Sequence, residues 1–133
     1  MKLSDSITLS VVSHNQGSLL DSLVEQLDSF SELDNVKLIV TLNVNGEFFS
    51  YTSKQTRHLN LVILTNEIPL GFGANHNNAF THCVTPWFAV LNPDISFQSQ
   101  VFDKMIYNSM EHNASLSAPC VVNKMGLAED SVR

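Results

Sequence analysis

Short apolar runs alternate with amphipathic helical patterns along this chain, and this alternation limits the possible folds more than any other feature. The apolar runs are mostly continuous rather than broken by polar residues, as expected for strands covered by helices on both faces. Strand–helix–strand order implies right-handed crossovers and a mostly parallel sheet flanked by helices, an α/β fold. The predicted strands are residues 7–13, 36–42, 60–65, 87–91 and 115–122, and the predicted helices are residues 18–30, a short one within 48–58, 73–83 and 99–111. Pro119 weakens the prediction of the last strand.

Composition supports one globular domain spanning residues 1–133. The chain is 44% apolar and 15% charged, which is enough apolar sequence for one core at this length. The net charge of −6, with no basic run, argues against a nucleic-acid partner. The sequence has no apolar segment of about 18 residues and no signal-peptide pattern, so we expect a cytoplasmic protein without a transmembrane segment. Cys83 and Cys120 are far apart in sequence and are predicted to be reduced core thiols.

Polar residues follow four of the predicted strands. Ligands of open parallel sheets bind beyond the carboxyl ends of the strands, so these residues are predicted to form one polar rim. The four strand ends are His14-Asn15, Asn43-Val44-Asn45, Asn66-Glu67 and Asn92-Pro93-Asp94.

The glycine segment after the third strand has three interpretations. Gly71-Phe72-Gly73 begins a GxGxxG dinucleotide fingerprint, with Asp94 about twenty residues later, but residue 76 is His and the segment does not follow the first strand. In the second interpretation, the two glycines only turn the chain into a helix and Asp94 only ends a turn.

The third interpretation is a diphosphate site. Asn75 and Asn78 share a helix face, with His82 one turn beyond, and free N–H groups at a helix N-terminus favour phosphate. Asp94 could hold Mg²⁺ or Mn²⁺, because such ions take few protein carboxylates when substrate phosphates supply the other oxygens.

Four motifs in order give the chain a family resemblance. The chain resembles the N-terminal half of family 2 glycosyltransferases, which have the three-layer, Rossmann-like GT-A fold, and is most similar to the bacterial rhamnosyltransferase-like branch. The resemblance covers nearly all of the chain. The motifs are "LSVVSHNQGSLLDSLVEQL", "NEIPLGFGANHNNAF", "FAVLNPDI" (the LNPD form of the metal-binding motif) and "APCVVNKMGLAEDSVR".

The resemblance implies roles for individual residues. Those implied to face the base and ribose are Ser13, His14 and Asn15, and those implied to line the nucleotide-sugar are Asn66, Gly71, Phe72, Gly73, Ala74 and Asn75. Asn92 and Asp94 match the ends of the metal motif, with Asp94 as the ligand. The chain departs from the family at two places. Asn43, with Asn45 beside it, stands where an Asp usually contacts the base, and Asn78 or Ala79 stands where the family has Gly.

The function implied by the resemblance is transfer of a sugar from a nucleotide-diphospho-sugar, with inversion, to a polysaccharide or lipid-linked acceptor. The LNPD form favours a deoxyhexose donor such as dTDP-rhamnose.

Family members are longer, and their second half carries the acceptor site and catalytic base, so the chain is expected to be truncated and to hold only the donor half. Glu129 and Asp130 are interpreted as a solvated tail before Ser131 and Arg133, so the catalytic base is not identified. We also expect peripheral membrane contact and a homo-oligomer. The alternative is a catalytically silent nucleotide-binding or interaction module.

Overall fold

A computed structural model describes residues 2–127 of the chain. Its contacts divide the chain after Phe97 into two compact units, and each unit is described separately below. The prediction of one domain over residues 1–133 therefore stays a prediction.

The first unit is built on a four-stranded parallel sheet. The strands are β1 (Ile7–Ser13), β2 (Lys37–Leu42), β3 (Asn60–Thr65) and β4 (Trp87–Leu91). Their order in the sheet is β3-β2-β1-β4, with every neighbouring pair parallel. This arrangement confirms the predicted α/β fold with a parallel sheet.

The strand order determines where the two helices of this unit lie. Helix α1 (Gly17–Asp28) connects β1 to β2, and helix α2 (Phe72–Phe80) connects β3 to β4. The chain moves in one direction across the sheet from β1 to β3 and then crosses back to β4. Because parallel crossovers are right-handed, this reversal places α1 and α2 on opposite faces.

Burial is concentrated on the two central strands. Every residue of β1 and β2 is buried except Val12 and Lys37, whereas the edge strands β3 and β4 are mostly half-buried. Helix α1 adds one fully apolar face of four residues, each contributing about 1.5–3 kcal/mol by burial: Leu20, Leu23, Val24 and Leu27.

Helix α1 is fixed at both ends by the loop that precedes β3. At its start, a Cβ on Gly17 would lie 2.6 Å from the Phe48 carbonyl oxygen, so only glycine fits. At its end, the buried Asp28 carboxylate accepts hydrogen bonds from three backbone N–H groups, those of Arg57, His58 and Leu59, at 2.8, 2.8 and 3.1 Å. Burial raises the pKa of Asp28, but these bonds outweigh burial and hold it below its ordinary value.

The second unit begins at Gln98 and contains helix α3 (Val101–Glu111). Phe102 and Ile106 are buried, whereas Met110, one turn after Ile106, is 64% exposed. The Ser109 hydroxyl donates to Ser117 Oγ at 2.9 Å.

The predicted fifth strand is wrong within the described residues. Residues 115–121 form no strand, and Val122 makes only a single bridge. Pro119 lacks the N–H that a ladder needs, and Leu116 is 89% exposed rather than buried in a sheet.

The prediction of core cysteines also fails, since Cys120 is exposed and Cys83 is half-buried, although both are free thiols. Glu129, Asp130, Ser131 and Arg133 lie outside the described residues.

Candidate functional site

A cleft of about 380 Å³ opens at the carboxyl ends of β1 and β4. The chain direction across the sheet reverses between these two strands, and open α/β sheets bind ligands at such a switch point. The residues lining the cleft are Val12, His14, Gln16, Asn43, Phe72, Asn75, Asn92, Pro93 and Asp94.

Three asparagines form a hydrogen-bond network beside the cleft. Asn66 Nδ2 donates to Asn43 Oδ1 at 2.9 Å and to Asn75 Oδ1 at 2.7 Å. Asn75 is completely buried, and Asn43 is 6% exposed. Buried amides need such partners because an unsatisfied amide is costly to remove from water.

The network holds the peptide groups of Leu70. Leu70 N–H donates to Asn43 Oδ1 at 2.8 Å, and Leu70 carbonyl accepts from Asn43 Nδ2 at 3.0 Å and from Asn75 Nδ2 at 3.3 Å. The next residue, Gly71, is the N-cap of α2 and supplies no side-chain cap. The asparagines therefore fix the N-terminus of α2, whose first backbone N–H groups have no side-chain acceptor from this cap.

The end of β1 contributes His14 and Gln16 to the cleft. His14 Nδ1 lies 3.1 Å from Asn43 Nδ2, and the ring is exposed. Ser13 points elsewhere: it is fully buried, donates to Glu47 and accepts from the Gln16 backbone N–H. Ser13 thus supports the turn after β1 rather than facing the cleft.

The end of β4 contributes Asn92, Pro93 and Asp94. The carboxylate of Asp94 is exposed, and among residues 2–127 it has no hydrogen bond or ion pair. No group of three or more His, Cys, Asp or Glu residues within that range is arranged to hold a metal. Asp94 therefore fits a metal only as a single protein carboxylate, with the remaining oxygens supplied by a ligand.

His76 of α2 packs against the sheet below Phe72. Its Nδ1 lies 2.9 Å from Ser10 Oγ, and its Nε2 is buried without a partner. The Phe72 ring packs edge-on against the imidazole, with the two ring centroids 4.5 Å apart. Burial lowers the pKa of His76. A dinucleotide fingerprint needs glycine at this position for close helix–strand packing, so the imidazole argues against the dinucleotide interpretation.

The glycines themselves have no steric requirement inside the protein. A Cβ added at Gly71 or Gly73 would have no neighbour within 4 Å, and neither residue has a positive φ. Among residues 2–97, positive φ occurs instead at Asn15, at 57°, Asn35, at 61°, and Gly46, at 79°. The space around Gly71 and Gly73 is thus open, beside a helix N-terminus.

The predicted site residues divide into two groups. Six of them line the cleft together: His14, Asn43, Phe72, Asn75, Asn92 and Asp94. The others are close in sequence but do not line it: Ser13, Asn15, Asn45, Asn66, Gly71, Gly73, Ala74 and Asn78. Asn78 is exposed and does not share the buried position of Asn75, and His82 follows the end of α2.

Three lining residues were not predicted: Val12, Gln16 and Pro93. Gln16 could have been found by extending the polar strand end His14-Asn15 by one residue. Pro93 lies between two predicted residues. Val12 carries no polar signal, since it belongs to an apolar strand.

Comparisons with known proteins give no further identification. No protein-family model, no curated protein and no solved structure matches the chain. Among the described residues, no helix combines the length and the apolar character needed to cross a membrane.

Proposed function

We propose that the chain is the nucleotide-diphospho-sugar-binding part of a glycosyltransferase similar to family 2, with the GT-A fold. The observation that carries the proposal is the cleft at the sheet's switch point, which brings His14, the start of α2 and Asp94 together. Each was predicted from a different motif of the family resemblance. Their meeting in one cleft supports a shared ligand.

The charges of the cleft favour a metal-bridged diphosphate. Among the described lining residues there is no Lys or Arg, and the one carboxylate is Asp94. A bare diphosphate would be repelled by that carboxylate, whereas a divalent cation between the two would reverse the interaction. Asp94 would hold Mg²⁺ or Mn²⁺, which stabilises a departing diphosphate when bound.

The remaining residues would place the donor rather than break its bond. His14 and Gln16 line the cleft and would face the base and ribose, and Phe72, 59% exposed at the cleft, offers an aromatic face. The reaction would be displacement of the nucleoside diphosphate at the anomeric carbon by an acceptor hydroxyl, with inversion. The proposed acceptor is a cell-surface polysaccharide or lipid-linked saccharide, met in the cytoplasm or at the inner face of the membrane. A deoxyhexose donor such as dTDP-rhamnose is favoured by the LNPD motif alone.

A second candidate, a nucleotide-binding module without transferase activity, is favoured by the lack of a general base. Transfer needs a base within hydrogen-bond reach of the acceptor hydroxyl. Within the described part of the chain, the titratable residues lining the cleft are His14 and Asp94, and the proposal already uses both on the donor side. The chain alone is therefore expected to bind without transferring sugar at a useful rate.

Calorimetric titration with nucleoside diphosphates and nucleotide-sugars, with and without Mn²⁺, tests the proposal. We expect binding that requires Mn²⁺ and that disappears in Asp94→Asn. The matched control is Asp34→Asn, since Asp34 is also exposed but lies outside the cleft. Binding that is equal in both variants would remove Asp94 from the site.

Transfer from the same donors to lipid-linked saccharides, followed by mass spectrometry, separates the two candidates. Multiple turnovers that vanish in Asp94→Asn would establish the transferase and refute the missing-base argument. Metal-dependent binding without turnover would favour the silent module for this chain.

A further inference from the structure

We infer that Asn43 is a positioning residue that holds His14 as a hydrogen-bond donor into the cleft, so that the ligand atom His14 meets is an acceptor oxygen. The inference rests on the proposed function for the existence of the ligand, and on geometry alone for the state of His14.

The orientation of the Asn43 amide is fixed by the backbone of Leu70. A backbone N–H can only donate and a carbonyl can only accept. Leu70 N–H lies 2.8 Å from Oδ1, and Leu70 carbonyl oxygen lies 3.0 Å from Nδ2. Reversing the amide would place a donor against a donor and an acceptor against an acceptor, so this orientation is the one that forms both bonds.

All hydrogen-bonding capacity of Asn43 is used. Oδ1 accepts from Leu70 N–H and Asn66 Nδ2, and Nδ2 donates to Leu70 carbonyl and to His14 Nδ1. An amide offers two donors and two acceptor sites. Asn43 therefore has no group left to read a base edge, although it occupies the position where the family resemblance implies a base contact.

The last of these bonds sets the tautomer of His14. Because Asn43 Nδ2 donates, His14 Nδ1 must accept, and an accepting Nδ1 carries no proton. The neutral imidazole then has its proton on Nε2. Nε2 has no hydrogen-bond partner among the described residues, and the exposed ring lines the cleft. His14 is thus prepared to donate to a ligand.

A donor at this place selects ligand atoms with a free lone pair. A carbonyl oxygen on a pyrimidine edge and a phosphate oxygen both qualify, whereas an exocyclic amine does not. Separate probes distinguish the two sources: uridine carries the carbonyl without phosphate, and pyrophosphate with Mn²⁺ carries the phosphate without a base.

The first test is the tautomer itself, read from long-range ¹H–¹⁵N correlations of the ligand-free protein at a pH where His14 is neutral. The His14→Gln variant assigns the signals among the five histidines. We expect protonated Nε2 and unprotonated Nδ1, a difference that a merely structural Asn43 would not impose. Asn43→Asp, whose carboxylate accepts, should instead keep a proton on Nδ1. A wild-type His14 protonated on Nδ1 alone would overturn the inference.

The second test is binding by His14→Phe, which keeps a ring but lacks the donor. Loss of one hydrogen bond should weaken binding about threefold to tenfold for whichever probe supplies the acceptor. The control is His112→Phe, the same change at an exposed histidine that does not line the cleft. Unchanged affinity of His14→Phe for every probe that binds would refute the donor role. If no probe binds the wild type, the proposed function fails, while the tautomer measurement still decides the role of Asn43.

Discussion

Asp28 provides the sharpest test of how this chain is held together, through the substitution Asp28→Asn. The carboxylate ends α1 and is 5% exposed. Its two oxygens accept from the backbone N–H groups of the three residues directly before β3. The asparagine amide keeps one oxygen to accept from the His58 and Leu59 N–H groups. Its NH₂ group faces the backbone N–H of Arg57, so two donors meet and that bond is lost.

The expected cost follows from those bonds. Loss of the charged bond to the Arg57 N–H removes about 1.5–3 kcal/mol, and weakening of the other two to neutral strength removes about 1 kcal/mol more. We therefore expect Asp28→Asn to lower the free energy of unfolding by about 3 kcal/mol and Tm by about 10 °C. Urea and thermal denaturation followed by circular dichroism measure both.

The same bonds predict an acid dependence. The pKa of Asp28 lies below its ordinary value of 3.8, so its contribution is complete above that value and is lost as pH falls through the lower pKa of the folded state. Asp28→Asn should lack this part of the acid profile. Asp34→Asn is the matched control, because the Asp34 side chain is 74% exposed near the same loop. If Asp28→Asn were no less stable than this control, the three-bond argument would be wrong.

Three further predictions concern α2 and its surroundings. Burial lowers the pKa of His76 below 6.5, so the free energy of unfolding should fall as pH drops below that value. His76→Leu should flatten this part of the plot of unfolding free energy against pH, measured by urea denaturation. An unchanged slope in the variant would contradict the argument. Gly73→Ala should stabilise the protein by about 0.5–1 kcal/mol, since it has open space and no positive φ, yet should weaken diphosphate binding in calorimetry; tighter or equal binding would place the ligand elsewhere. Phe80 is 57% exposed and Val90 51%, so sedimentation should detect self-association that Phe80→Ser reduces, and an unaffected oligomer would assign association to another surface.

Most of the sheet was predictable because its strands are continuous apolar runs with sharp polar ends. Residues 7–13, 60–65 and 87–91 were predicted with the bounds that the structure has. Helix ends were less accurate: α2 stops at Phe80 rather than residue 83. The backbone N–H groups of His82 and Cys83 instead donate to Ala79 and Phe80 carbonyls, in tighter turns, which periodicity alone does not distinguish from a helix.

The position of the cleft was predictable, but the contacts around it were not. Strand ends indicate where polar residues gather, so His14, Asn92 and Asp94 were found. Which amides face inward depends on the path of the loop after β3. Asn66 and Asn75 belong to that loop and its helix, yet their side chains meet Asn43 from β2 around Leu70. Such convergence of distant residues leaves no spacing pattern in the sequence.

The order β3-β2-β1-β4 also has a consequence for synthesis of the chain. β1 emerges first from the ribosome, but one of its edges is paired only when β4 has followed. The pairs β1–β2 and β2–β3 can form earlier, because their partners are closer in sequence. We expect the edge of β1 that later binds β4 to stay open in the nascent chain, where it can template wrong pairing. The cleft lies at the end of that same seam, so it would be the last part of the sheet to be completed.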